Sequence, residues 1–537
     1  MSMADASTES CEITDPGKYS YQRFSYCVTG LVITYILYDT KMAELGRGTI
    51  EVSTSATLPK AGTSWNEQVT AKMTSASGQV TALNAKFRPS CSAGCTATKT
   101  APWYKSETTV GGPPLTGFVT YSSTPATGTS TTFLTSYKMY VTAVGTDPID
   151  PSASWDNPRE IRCDDAVGGG TSAGCVIPSV MPVVPMKATA SDPSGAVAAY
   201  GWAQKNLDGA WGKKGSPLTR SANGAAGRTA ATCSGFRPEP ELINNDACGD
   251  FPFGESAEGG SPGAECVEVI PDPGNGAWDT YILNDATNLN RSAPCVQAHV
   301  TPEAGQFAAS QLADGFAGQR VIDSDQFELT VSTADTGPHV DCLNTSAPDG
   351  AQLNGDGWYK NNTTPVPLVN KTAPGDGPGD RAALAQACVR KNREEGKGTS
   401  DPVTGMKDAE EFAKLNSLTY QQSRCHLFPS VLGGKGTTKE TRFNLVPCWQ
   451  VGMNTGTPSM RTYEQMAQKL VKGNSFGNDD ALLYQVTPVY RNADSTIPTG
   501  VTMTAEVQWA DGTTEKLFPN VYVTNTYKIT GQWNLGN

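Results

Sequence analysis

The sequence predicts a multidomain protein that is β-rich at its N-terminal end and α/β or α+β beyond it. Three observations carry that expectation. The chain has 537 residues, room for three to four domains at roughly 100–200 residues each. Gly (55) and Pro (36) are abundant and charged residues are only 18%, which suits short strands and turns better than a coiled coil or helical solenoid. The 14 cysteines are even in number and suit an oxidising compartment.

Other classes are excluded or narrowed at the same level. No apolar run approaches the roughly 20 residues of a membrane-spanning helix; the best, from Gly30 to Tyr38, is far too short. The net charge of −12 argues against a protein that coats nucleic acid with its whole surface, but leaves room for one basic site. Structural zinc is disfavoured because there is no CxxC pair and only three histidines. Pairing the cysteines as sequence neighbours gives seven short loops, although spacing alone leaves the connectivity open. The opening residues Met-Ser-Met-Ala-Asp-Ala-Ser-Thr-Glu are not a basic-then-apolar leader, so for a secreted protein either the leader is absent from this chain or export follows an unusual route.

In chain order, residues 1–180 read as a β-sandwich-like module. Tyr19, Tyr21, Phe24, Tyr26 and Val28 fall at near-alternating spacing, and Leu31 to Tyr38, Thr49 to Leu58 and Thr131 to Val144 repeat the pattern between turn-rich stretches. Gly168-Gly169-Gly170 and the Pro178 to Pro185 run close that module. Residues 190–335 read as a disulfide-braced α/β domain, with helices expected over Val197 to Leu207 and Phe307 to Phe316. Residues 336–380 are Asn/Pro/Gly/Thr-rich and read as a linker, and 381–537 as the last domain.

The last domain carries the strongest chemistry. Ser423-Arg424-Cys425-His426 is followed by Phe443-Asn444-Leu445-Val446-Pro447, by Gly452-Met453-Asn454 and by Arg461-Thr462-Tyr463-Glu464. Tyr463, Met466, Ala467, Leu470 and Val471 define one apolar face of a helix. Strand-like runs follow at Leu483 to Tyr490, Val501 to Gln508 and Leu517 to Val523. A histidine on a strand end followed by Asn and Glu suits metal-assisted hydrolysis: imidazole takes a proton from water near neutral pH, and an Asn carbonyl is a ligand for a hard cation such as Mg²⁺. Between Arg381 and Gly473 there are 14 Lys/Arg and 8 Asp/Glu, a local excess of basic charge that suits a reader of phosphate backbone.

These ordered motifs, over about residues 420 to 525, resemble the His-Me (ββα-metal) finger nucleases, specifically the DNA/RNA non-specific endonucleases. The resemblance implies His426 as general base, Asn454 as the direct Mg²⁺ (or Mn²⁺) ligand, Asn444 shaping the metal and water network, Glu464 orienting metal-bound waters and Arg424 contacting phosphate. Two residues depart from the family's Asp-Arg-Gly-His: Ser423 supplies no carboxylate and Cys425 replaces a glycine. A Cys425–Cys448 disulfide would brace the finger.

A second resemblance lies between residues 215 and 332. Cys248-Gly249-Asp250-Phe251-Pro252-Phe253, Glu258-Gly259-Gly260 and Cys295-Val296-Gln297-Ala298-His299 look like the NucA/NucB deoxyribonuclease domain of secreted proteins. That implies a second possible site at Asp250, Glu258 and His299, with one of the family's paired acids replaced by Gly249.

The expected protein is thus a secreted, Mg²⁺-dependent and largely sequence-non-specific endonuclease. Its fold would be an N-terminal β-sandwich, a disulfide-braced α/β middle domain and a C-terminal ββα-metal finger. Its substrate would be DNA, with RNA as a second, and an antibacterial toxin role would bring an immunity or inhibitor protein as partner. The rival readings are an exported binding or structural protein with degenerate nuclease folds, and a nuclease whose activity resides in the middle domain.

Overall fold

The computed structural model describes residues 15–534 apart from 105–106, 148, 274–277, 284–288, 334–339, 345, 397, 400–401, 419–421 and 438–441. The chain divides into two compact units. One holds Met1–Pro185, Gly212–Ala222 and Ser310–Thr330; the other holds Met186–Trp211, Asn223–Ala309 and Val331–Asn537.

In the first unit, one sheet runs in the order Ser20–Gln22, Ser25–Tyr38, Glu44–Thr57, Ser64–Gly78, Leu115–Ser123 and Cys95–Lys99. A second runs Ser152–Asp156, Thr135–Thr142, Leu83–Cys91 and Thr108–Val110. Alternate residues face inward, as the two-residue strand period requires. Ile50, Val52 and Val69 from one sheet share a core with Leu83, Phe87 and Met139 from the other. Within that core lies a fully buried carboxyl group, Glu67, to which the Tyr137 hydroxyl donates at 2.9 and 2.8 Å.

Residues 310–330 were expected in the middle domain and instead belong to the first unit. Charge explains the attachment. Arg320 is fully buried, with Nη2 at 2.5 Å from the Asp164 carboxylate, and Arg162 Nη1 lies 2.7 Å from Asp325. Buried ions of this kind need partners, and here each segment supplies the other's.

In the second unit the described residues form an eleven-stranded sheet. Its order is Ala247–Phe251, Val296–Val300, Val267–Asp272, Asp279–Leu283, Val521–Thr524, Gly500–Gln508, Ala481–Val489, Gly379–Val389, Gly357–Val366 and Gln352–Asn354, with Thr514–Lys516 pairing onto Gly500–Gln508. Two corrections follow. The stretches read as a middle and a last domain share this one sheet, joined where Ile282 and Leu283 pair in parallel with Val521 and Tyr522. The stretch 336–380, read as a linker, contains two of its strands and the start of a third. Trp358, Tyr359 and Val366 are buried in it, so a few large side chains outweigh the turn-rich composition around them.

The helices at Gly195–Asn206, Pro302–Gln319 and Met460–Lys472 cover the segments expected to be helical. The run Leu517 to Val523 does not form one strand. Thr514–Lys516 ends before it and Val521–Thr524 begins inside it, with Pro519 between, which has no N–H for a ladder. Six disulfides among the described residues join sequence neighbours: Cys91–Cys95, Cys163–Cys175, Cys233–Cys248, Cys266–Cys295, Cys342–Cys388 and Cys425–Cys448. The Cys11/Cys27 pairing reaches outside the described residues. No described helix is long and apolar enough to cross a membrane.

Candidate active site

Strand Gln422–His426 pairs antiparallel with Leu445–Trp449, and helix Met460–Lys472 follows, giving a β-β-α order. Within the first strand only Cys425 is buried, while Arg424 and His426 lie on the opposite face at the two-residue period. Cys425 and Cys448 are part of the core that also contains Leu427, Val446, Tyr463, Ala467 and Val471. The residue that replaces the family's glycine therefore points into the core, on the face away from His426. Helix Met460–Lys472 starts in a capping box between Ser459 and Thr462, which satisfies otherwise orphaned backbone donors.

His426 is half-buried. Burial lowers its pKa to about 4, and a hydrogen bond to the Gly398 backbone only partly offsets that. Nε2 is buried with no hydrogen-bond partner among the described residues. The Gly398 bond therefore falls to Nδ1, which favours the tautomer with its lone pair on Nε2. The ring is a neutral base at physiological pH.

Asn444 stands directly before strand Leu445–Trp449 and is fully buried. Its Oδ1 accepts from Phe428 N at 2.7 Å, and its Nδ2 donates to Phe428 O at 2.8 Å and Lys435 O at 3.2 Å. The sequence reading put Asn444 in the metal and water network. Its amide instead clamps the loop that leaves His426, because every strong bond it makes is to that backbone.

Asn454 sits in the turn between the second strand and the helix. Its N–H donates to Trp449 O at 3.1 Å, and its C=O accepts from Arg461 N at 3.2 Å. The side-chain Nδ2 donates to Gln450 Oε1 at 3.0 Å, a bond that does not use Oδ1. Glu464 lies on the helix. Burial raises its pKa to about 7, against the opposing charge of Arg461. Arg424 Nε is buried without a hydrogen-bond partner among the described residues. Among the described residues no group of three or more His, Cys, Asp and Glu side chains could hold a metal. A cation here would rest on an amide oxygen and water, the donor set that suits hard Mg²⁺.

The second possible site is not assembled as the sequence suggested. His299 is fully buried, and its partners are Asp246 at 2.6 Å from Nδ1 and Glu268 at 2.9 Å from Nε2. Burial works against its charge, but the hydrogen bonds of Asp246 and Glu268 outweigh burial and raise the pKa to about 9. His299 is thus charged at neutral pH with both nitrogens engaged, and has no lone pair for water. Asp250 accepts from Thr229 Oγ1 at 2.9 Å and Gly254 N at 2.8 Å, a turn-capping role, and burial raises its pKa. Sequence reasoning missed Asp246 and Glu268, because strand pairing rather than any local motif brings them to His299.

Residues 394–509 match the DNA/RNA non-specific endonuclease family. The matched span contains Arg424, His426, Asn444, Asn454 and Glu464. Two solved structures of NucA from Streptococcus agalactiae, one with magnesium ion bound and one with no metal bound, are similar to the chain at 17% and 18% identity. They cover 36% of this chain and 82% and 84% of their own, with TM-scores of 0.22 and 0.20, too low to establish a shared overall fold. No curated protein matches the chain.

Proposed function

We propose that the β-β-α finger at residues 422–472 hydrolyses phosphodiester bonds in DNA, and in RNA as a second substrate, with little sequence preference. The observation that carries this reading is His426, a neutral imidazole whose Nε2 is unpartnered within the endonuclease-matched span. Nε2 takes the proton of a water whose oxygen attacks phosphorus, the P–O bond to the leaving oxygen breaks, and that oxygen gains a proton from solvent. Arg424 shares the His426 face and supplies a guanidinium for a phosphate oxygen. Asn444 is a positioning residue that holds the loop after His426. Asn454 Oδ1 would hold Mg²⁺ or Mn²⁺, and Glu464 on the following helix would orient its waters. That cation, when bound, offsets negative charge as phosphorus becomes five-coordinate.

Six disulfides and no free cysteine among the described residues support an extracellular setting. A toxin role, with the first unit as carrier and an immunity protein as partner, rests on domain order and extends the same reading. The alternative active site around Asp250, Glu258 and His299 finds less support, because both His299 nitrogens are occupied.

The test is cleavage of plasmid DNA and of RNA by the oxidised protein with Mg²⁺ or EDTA, beside Asn454→Ala. Cleavage in Mg²⁺ that EDTA and the variant each abolish is the expected result. Metal-independent cleavage, or no cleavage by the folded wild type, would overturn the reading.

A further inference from the structure

Two arginines meet at one small cavity in the endonuclease-matched region and its flank. Arg381, Thr404, Arg442, Leu445 and Tyr490 line it, and its volume of about 10 Å³ admits one water-sized atom. Arg381 is 9% exposed. Its Nη1 donates to Asn492 O at 3.0 Å and Ser495 O at 2.5 Å, and its guanidinium lies 3.9 Å from the Tyr490 ring centroid. The Tyr490 hydroxyl is in turn fixed by Ala382 O at 2.9 Å. Arg442 stacks on Phe443 at 4.8 Å. The Nε atoms of both arginines are buried and have no hydrogen-bond partner among the described residues.

Buried donors of charged groups are expected to be satisfied. Two such N–H groups, on side chains that line a cavity the size of one oxygen atom, therefore call for an acceptor. Asp494 is the carboxylate close enough to act on Arg381 electrostatically. It makes no hydrogen bond to Arg381 Nε.

We propose that this cavity is a subsite for one anionic oxygen of a phosphate, and that the phosphate is one flanking the scissile bond of the nucleic acid. This rests on the endonuclease reading above. Position supports it. Leu445, which lines the cavity, is the register partner of His426. Paired residues of antiparallel strands have Cα atoms roughly 4.5–5.5 Å apart, so the cavity begins about one strand width from the base. Arginine suits the role because its planar fork and permanent charge match phosphate oxygens.

The experiment measures binding of a single-stranded DNA oligomer to full-length His426→Ala protein by fluorescence anisotropy, as a function of NaCl. It compares Arg442→Gln and Arg381→Lys in that background, each checked for folding by thermal melting. Loss of one phosphate contact should reduce the slope of log K against log salt by about 0.7. In the cleaving protein, Arg442→Gln should raise KM with kcat held within about twofold, and inorganic phosphate should compete with substrate more weakly than in wild type. An unchanged slope and KM in folded Arg442→Gln overturns the proposal and leaves the cavity to a bound water. Weaker competition by phosphate with an unchanged oligomer slope also overturns it, since the site would then take free phosphate and not the backbone. Binding needs no turnover, so a reduced slope without any cleavage by the wild type keeps the subsite while removing the endonuclease reading.

Discussion

Replacing Asn444 with alanine tests whether this residue acts on the loop after His426 or on a metal. The side chain is fully buried and makes three hydrogen bonds, at 2.7, 2.8 and 3.2 Å, to Phe428 and Lys435 backbone atoms. Alanine deletes all three and leaves one N–H and two C=O groups without that partner. A buried group left unsatisfied costs about 1–3 kcal/mol. Water entering the vacated space recovers part of this, and the 3.2 Å bond is the weakest, so the expected loss is about 3–4 kcal/mol. Urea unfolding of the oxidised protein, followed by Trp fluorescence for the second unit, measures it. Activity at a urea concentration where the variant stays folded should fall at least tenfold while Mg²⁺ affinity, read by calorimetry, stays unchanged. A loss below about 1 kcal/mol, or a variant that folds normally but no longer binds Mg²⁺, would refute the clamp and return Asn444 to the metal network.

Two other perturbations address the scaffold. Burial raises the Glu67 pKa to about 7 from an ordinary value of 4.5, against the lowering effect of the Tyr137 hydrogen bond. The folded first unit therefore favours the protonated form: its contribution is complete below pH 4.5 and is lost as pH rises through about 7. The loss amounts to about 3 kcal/mol at 1.36 kcal/mol per pKa unit. Thermal melts from pH 4.5 to 8.5 should show Glu67→Gln flattening this decline, and parallel curves for variant and wild type would rule it out. The Cys425–Cys448 bridge closes a loop with a sequence separation of 23 residues. Its removal by the double Ser variant should cost about 3 kcal/mol from loop-closure entropy. Because Cys425 faces the core, kcat at low temperature should survive within a few fold; a collapse of kcat in a folded variant would mean that the bridge shapes the His426 face directly.

Much of this was legible in local pattern. The alternation from Tyr19 to Val28 and from Leu31 to Tyr38 marks strands because every second residue must face the core. The i, i+3, i+4 spacing of Tyr463, Met466 and Ala467 marks the finger helix for the same kind of reason. The order His426, Asn444, Asn454, Glu464 was readable because a β-β-α finger is compact in sequence. Contacts over long sequence separations were not. Nothing local to Ile282 announces Val521 as its neighbour, and that one pairing merges two stretches into a single sheet. Arg320 gives no sign in sequence of the Asp164 carboxylate it meets. His299 likewise looked like a candidate base until its two carboxylate partners were seen. Composition misled at 352–366, where Asn and Thr conceal a strand anchored by Trp358 and Tyr359.

The most direct test of the central claim is Mg²⁺-dependent plasmid cleavage by the oxidised full-length protein, compared with His426→Ala and Asp250→Ala. The expected result is cleavage reduced by about 10²-fold or more in His426→Ala, the low end of what a general base contributes, with Asp250→Ala close to wild type. Cleavage that survives in His426→Ala and disappears in folded Asp250→Ala would contradict the account and move the chemistry to the strand that carries Asp250.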